Sequence, residues 1–238
     1  MIANKIEKDL KKLANKERVR ICKTFFKTGK GEYGEGDIFL GVNVPDIRKV
    51  VKNNLKEITL RDVIELLQSK YHEVRFAGVV SMVEMMKCAV KLGDKKLQKQ
   101  IFTTYLKNTN RINNWDLVDV SCSNIVGVYL LDKDRNTLYK LVKSKNIWER
   151  RMAIVSTLTF IKKGDYKNTF SLAEILLNDK HDLIHKACGW MLSEVGKNCG
   201  IETLNFFLDK NVKKMSRVML HYSLEKHHPF QKSKYLSL

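Results

Sequence analysis

Proline is almost missing from this chain: two residues, Pro45 and Pro229, in 238. A sequence so poor in the strongest helix breaker leaves helices free to run. Usefully spaced cysteines are lacking too. Cys22, Cys88, Cys122, Cys188 and Cys199 are odd in number, scattered and never CxxC, which argues against a disulfide framework or a zinc knuckle and for core filling. No stretch approaches the roughly 18 consecutive apolar residues of a membrane span. The opening MIANKIEKDLKKLANKERVR has no signal-peptide apolar run, so an intracellular, cytoplasmic protein is expected. Acids are the scarce charge, 26 Asp and Glu against 44 Lys and Arg, a net +18. That balance points to a polyanion, nucleic acid before an anionic membrane surface, with a merely basic soluble exterior as the plain alternative.

What the chain has is apolar helix periodicity. Hydrophobic residues make up 44% of it, enough for a substantial core. Val118, Cys122, Ile125 and Tyr129 fall at steps of four, three and four; Ile154, Leu158 and Ile161 repeat the pattern, as do Ile184, Cys188, Met191 and Val195. Taking Arg75, Asn113, Arg151, His185 and Arg217 as equivalent helix starts gives steps of 38, 38, 34 and 32 residues. Helix pairs at periods near 40 predict an all-α fold of HEAT-like helical repeats, a curved α-solenoid with a basic concave face; an irregular bundle is the simpler reading. A single repeat domain is expected over 1–238, with an N-terminal helical region and Gly-rich loop to about 45, repeats over 46–225 and a C-terminal tail over 226–238. First turns of the second helices would then form a row of Arg75, Trp115, Arg151, Lys186 and Arg217, suited to a duplex or, alternatively, to an acidic protein.

Several local motifs reduce to structure. GKGEYG (Gly29–Gly34) matches GxGxxG, but no buried strand precedes it and no clear helix start follows, so a structural loop is expected. His181 and His185 are four apart, yet no ligand completes a metal site, and two surface histidines are expected. His227-His228 reads as a tail feature, and no Ser/His/Asp arrangement stands out. No metal or organic cofactor is expected. Arg150 and Arg151 follow Trp148 near the edge of the Ile154–Ile161 stripe, where pairing with a neighbouring repeat's carboxylates is their ordinary role.

The stretch NNWDLVDVS, residues 113–121, sets acids beside an aromatic. Asn113-Asn114 are good caps, so Asp116 falls in the first helical turn, where its charge complements the helix dipole. At roughly 100° per residue, Trp115 and Asp119 lie about 40° and 80° from the centre of the Val118–Tyr129 stripe, and Asp116 about 140° away. Asp119 is therefore placed on the same face as Trp115, at the core's edge and partly desolvated. Trp190, in KACGWMLSEVGK, lies about 140° from its own stripe, where it meets either the next helix pair or a ligand's sugar or base.

WDLVD (Trp115 to Asp119), WERRMAI (Trp148 to Ile154) and KACGWMLSEVGK resemble the HEAT-like DNA alkylation repair family, the AlkD-type DNA glycosylases. GEYGEGDIFLGVNVPDIR and MSRVMLHYSLEK are similar to that family's early and late segments, so the likeness spans nearly the whole chain. The resemblance implies hydrolysis of the N-glycosidic bond of N3- or N7-alkylated purines in duplex DNA, on a concave basic surface and without extruding the base. It makes Asp119 the catalytic carboxylate, Trp115 and Trp190 aromatic walls against the lesion's sugar and backbone, and Arg151 a phosphate or carboxylate contact. Lys186, Arg217 and Arg75 complete the expected DNA-binding row. One departure from the family pattern is Asn114, where a second aromatic is expected. A monomer acting on DNA is the expected form, and a non-catalytic scaffold binding DNA or an acidic protein is the rival from another class.

Overall fold

A computed structural model describes every residue from 1 to 238. Helix follows helix, and no β-strand is present; Ile38 and Tyr71 form an isolated parallel bridge. No helix is long and apolar enough to cross a membrane. Both prolines sit at helix starts, Pro45 early in Val44–Asn54 and Pro229 opening Pro229–Leu236, where a missing N–H costs nothing. The segment expected as a tail thus carries a helix. The chain divides into two compact units, residues 1–125 and 126–238.

The first unit contains α1 (Ile2–Lys12), α2 (Lys16–Phe25), α3 (Val44–Asn54), α4 (Leu60–Gln68), α5 (His72–Lys91), α6 (Lys95–Lys107) and α7 (Trp115–Cys122). Its spine is α5. Fourteen of its 20 residues are buried, so it is enclosed on nearly every side, with His72, Glu73 and Arg75 among the buried residues of its first turn. It packs against α1, α3, α4, α6 and α7. Thr59 and Asp62 form a capping box that starts α4, and the Asp62 carboxylate also accepts from the Ala3 amide, tying α1 to the same point. In contrast, α2 buries none of its residues.

Between α2 and α3 runs the Gly-rich stretch. It is a loop, laid across the start of α5: the His72 amide donates to the Ile38 carbonyl at 2.8 Å, and the Leu40 and Gly41 amides donate to the Glu73 carboxylate at 2.9 and 2.7 Å. Gly41 has φ 79°, and a Cβ there would stand 2.2 Å from the Asn15 carbonyl oxygen, so only glycine lets the loop pass.

The second unit contains α8 (Val128–Leu130), α9 (Asn136–Leu141), α10 (Ile147–Val155), α11 (Leu158–Ile161), α12 (Lys167–Ile175), α13 (Asp182–Cys199), α14 (Ile201–Asn211), α15 (Arg217–Ser223) and α16 (Pro229–Leu236). Here α13 is the spine, packed against α10, α11, α12, α14 and α15. Gly189 is the point of closest approach: a Cβ there would lie 2.5 Å from both the Met219 carbonyl oxygen and the Tyr222 Cβ. α15 can therefore lie directly on α13.

The helix expected over Val118–Tyr129 is present, but it is not α-helical throughout. Ser123–Gly127 forms a π-turn between α7 and α8, one extra residue per turn, of the kind that accompanies functional sites. At its end Gly127 is crowded by the Ser156 carbonyl, 2.4 Å from where a Cβ would be, so the backbone packs there without a side chain.

Candidate active site

α7 starts where the sequence places it. The Asn114 side-chain oxygen accepts from the Trp115 amide at 2.8 Å, and Trp115 and Asp119 follow one turn apart, both half-buried. Further along, the Ser121 hydroxyl meets the buried Tyr105 hydroxyl at 2.8 Å, fastening α7 to α6. Burial pushes the Tyr105 hydroxyl well above its ordinary pKa, so it stays a neutral partner.

Trp115 is held by aromatic neighbours. Its ring stacks on Phe26 with centroids 5.4 Å apart and meets Phe25 edge-on at 5.6 Å. The stack continues inward from Phe26 to Phe39 at 5.1 Å and from Phe39 to the His72 imidazole at 4.7 Å. Beside it a pocket of about 220 Å³ is lined by Phe25, Phe26, Phe39, Phe76, His72 and Asp116 among others.

Asp116 is not a simple dipole complement, as its place in the first turn suggested. Its Oδ2 lies 2.8 Å from His72 Nε2, and His72 Nδ1 lies 3.1 Å from Asp37 Oδ2. Burial alone would drive the imidazole toward neutrality. The Asp116 charge and hydrogen bond, joined by Asp37, outweigh it and raise the His72 pKa to about 9. Burial likewise opposes ionisation of Asp37, but His72, Arg75 and Asn114 hold its carboxyl below the ordinary value. Sequence reasoning passed over this cluster. The available signal was His72 and Arg75 three residues apart, hence on one face at the start of a buried helix.

Arg75 belongs to that cluster and not to a phosphate row. It is 3% exposed, donates to Asp37 through a short Nη2–Oδ1 contact, and donates from Nη1 to the Ser69 and Lys70 carbonyls at 3.2 Å each. A guanidinium enclosed this way has no free face for DNA.

In the second unit, Arg151 is buried and donates to the Leu183 carbonyl, which ties α10 to the first turn of α13. α13 carries Lys186 and Trp190, both half-buried. Gly189, beside Trp190, is packed onto α15. Arg217, at the start of α15, is exposed and donates to the Leu236 carbonyl at 2.7 Å. Arg150 takes the carboxylate pairing expected of these arginines, its Nε 2.6 Å from Asp179 Oδ2 and its Nη2 3.3 Å from Oδ1. The expected surface histidines are a correction: His185 is buried and His181 half-buried, because the face they share turns inward. His227 is buried as well, its Nε2 2.8 Å from the Asn205 side-chain oxygen, because α16 folds back instead of leaving a tail.

The family model described as DNA alkylation repair enzyme matches residues 6–227. The chain belongs to that family. A solved structure titled "Predicted DNA alkylation repair enzyme from Enterococcus faecalis" superposes with a TM-score of 0.68 at 15% identity, covering 91% of this chain and 97% of that one. At that identity the likeness establishes the fold, all-α and built of HEAT-like helical repeats. No curated protein matches the chain.

Proposed function

We propose that the chain is a DNA glycosylase that hydrolyses the N-glycosidic bond of cationic N3- or N7-alkylated purines in duplex DNA without extruding the base. The observation that carries this reading is Asp119, a half-buried carboxylate one turn from a half-buried tryptophan in a protein of net charge +18. An alkylated purine is already cationic, so it departs with the bonding electron pair as a neutral base and needs no proton from a second acid, unlike an ordinary glycoside. Cleavage leaves positive charge on the sugar. A partly desolvated Asp119 stabilises that oxocarbenium-like state, or orients the water that adds to it and then loses a proton, more strongly than a carboxylate in bulk solvent.

Trp115 and Trp190 present aromatic faces, which favour developing positive charge. Lys186 and Arg217 supply phosphate contacts, and Arg151 seats α13. The protein acts as a monomer, needs no cofactor and works in the cytoplasm.

The test is single-turnover release of 7-methylguanine and 3-methyladenine from methylated duplex DNA. Asp119→Asn is expected to lower the rate on the order of 10²-fold or more, as for other single electrostatic stabilisers, with DNA affinity unchanged or slightly higher. An unchanged rate sinks the role given to Asp119. No release by either protein, with salt-sensitive DNA binding retained, points to the non-catalytic scaffold.

A further inference from the structure

The buried ionic cluster of the first unit lies off the proposed reaction path, and a buried ion is costly unless fully paired. Its charges are paired and the pairing is directional, with only the Arg75 Nε left without a hydrogen-bond partner. A neutral imidazole donates from only one nitrogen, so a His72 that binds ionised carboxylates at both Nδ1 and Nε2 is an imidazolium. Arg75 closes the inner end on Asp37, and Asn114 Nδ2 donates to Asp37 Oδ2 at 3.1 Å. Two carboxylates face two cations, and the group is neutral overall.

The cluster's outer end is Trp115's own backbone. Asn114 and Asp116, the residues on either side of the tryptophan, are both bound into it. The indole is fastened a second time through its stack on Phe26, which in turn packs on the His72 ring at 4.9 Å. Asp119 stands one turn beyond, on the same helix.

We propose that Asp37, His72 and Asp116 are positioning residues: the protonated His72 fixes the first turn of α7, and with it the orientation of the Trp115 indole and the Asp119 carboxylate. The link to excision rests on the glycosylase reading; the link to Trp115 does not. Other charged or titratable groups around His72 are Arg75 on its own helix, Arg111 beside Arg75, and Glu73, Arg18 and Cys22 around the pocket. The Glu73 carboxylate is already occupied by the Leu40 and Gly41 amides. Loss of the His72 proton leaves two facing carboxylates with one donor between them, and Asp116, the more exposed, is released.

Two measurements on the intact chain test this. Tryptophan fluorescence is followed from pH 6 to 10.5, with Trp115→Phe as the blank for Trp148 and Trp190; then single-turnover excision of 7-methylguanine is followed over the same range. The Trp115 signal is expected to change with a midpoint near pH 9, and the change to vanish in His72→Gln. Asp116→Asn is expected to excise about tenfold more slowly at neutral pH with unchanged DNA affinity, the size of a small misplacement of reacting groups. A Trp115 signal flat through pH 9, or one that titrates identically in His72→Gln, overturns the proposal. The wild-type titration stands by itself even where His72→Gln does not fold. A Trp115 transition near pH 9 with no excision by any variant upholds the positioning role and overturns the glycosylase reading instead.

Discussion

Arg75 in the first unit and Arg150 in the second do the same local work. Each stands fourth in its helix, α5 or α10. Each donates from Nη1 to two carbonyls just before that helix, Ser69 and Lys70 in one case, Ser144 and Lys145 in the other. Each closes on the carboxylate of a loop residue, Asp37 or Asp179. The difference lies at the first helical position, His72 against Ile147. One clamp is fully buried, titratable and continued to α7 through Asp116. The other continues only to a backbone amide, that of His181 at the start of α13, which donates to Asp179 Oδ1 at 2.9 Å. The two copies thus share one backbone clamp, and a histidine at the helix start adds a second carboxylate and a titratable link to one of them.

Removing the carboxylate should separate the two most sharply. Asp37→Ala leaves Arg75 without its ion-pair partner and His72 with one carboxylate in place of two, so a loss of about 3–5 kcal/mol is expected, the range for breaking a buried pair. Asp179→Ala exposes the milder case. The Arg150 side chain is 19% accessible and so can recruit water, and about 1–2 kcal/mol is expected, a lost charged hydrogen bond with partial rehydration. Urea denaturation of both variants measures the difference; equal losses would mean that burial does not distinguish the clamps.

Next in size is the pH dependence of stability. The folded pKa of His72, about 9, lies above its ordinary 6.5. Its stabilisation is therefore complete below about pH 6.5, declines as pH rises, and is gone once pH has passed about 9, a change on the order of 3 kcal/mol. Asp37, whose pKa is lowered, works in the opposite sense: its stabilisation is present throughout this range and is lost only in acid, below its ordinary pKa. His181 and His227, lowered chiefly by burial, destabilise as pH falls below 6.5, outside the His72 window. Denaturation midpoints at pH 6.5, 8 and 9.5 should fall steadily in the wild type, and His72→Gln should remove most of that fall. An equal fall in both proteins would assign it to other groups.

The same two regions show what a sequence can disclose. Helix content, the α7 start at Asn114 and the shared face of Trp115 and Asp119 are local properties, set by caps and by a period of 3.6, and they were legible. So were the motifs that carry the family resemblance. The register of the repeats was misread by one residue: Arg75 was paired with Arg151, but the carbonyls it grips make Arg150 its counterpart and leave Arg151 opposite Phe76. Periodicity tells which way a residue faces and says nothing of what it meets. Asp37 is 35 residues from His72 and Asp116 is 44 away, so no spacing rule joins them. An acid in a first turn had a sufficient local explanation, and that explanation hid its real partner. The π-turn was equally silent, because its apolar positions still satisfy a helical stripe.

The smallest expected effect bears on the row of cations first assigned to DNA, and it sets a buried arginine against an accessible lysine. Each phosphate neutralised releases about 0.9 counterion from duplex DNA, so the slope of log affinity against log salt counts contacts. Lys186→Ala should flatten that slope by about 1 and leave stability nearly unchanged, as a half-buried lysine on α13 with a phosphate contact would. Arg75→Ala should do the reverse, lowering stability and leaving the slope where it was, because its guanidinium is enclosed by Asp37 and two carbonyls. Filter binding at four salt concentrations on both variants is sufficient. A slope that shifts with Arg75 and not with Lys186 would return the first unit's clamp to the DNA surface, against its burial, and would break the distinction between a cation that holds the fold and one that holds the substrate.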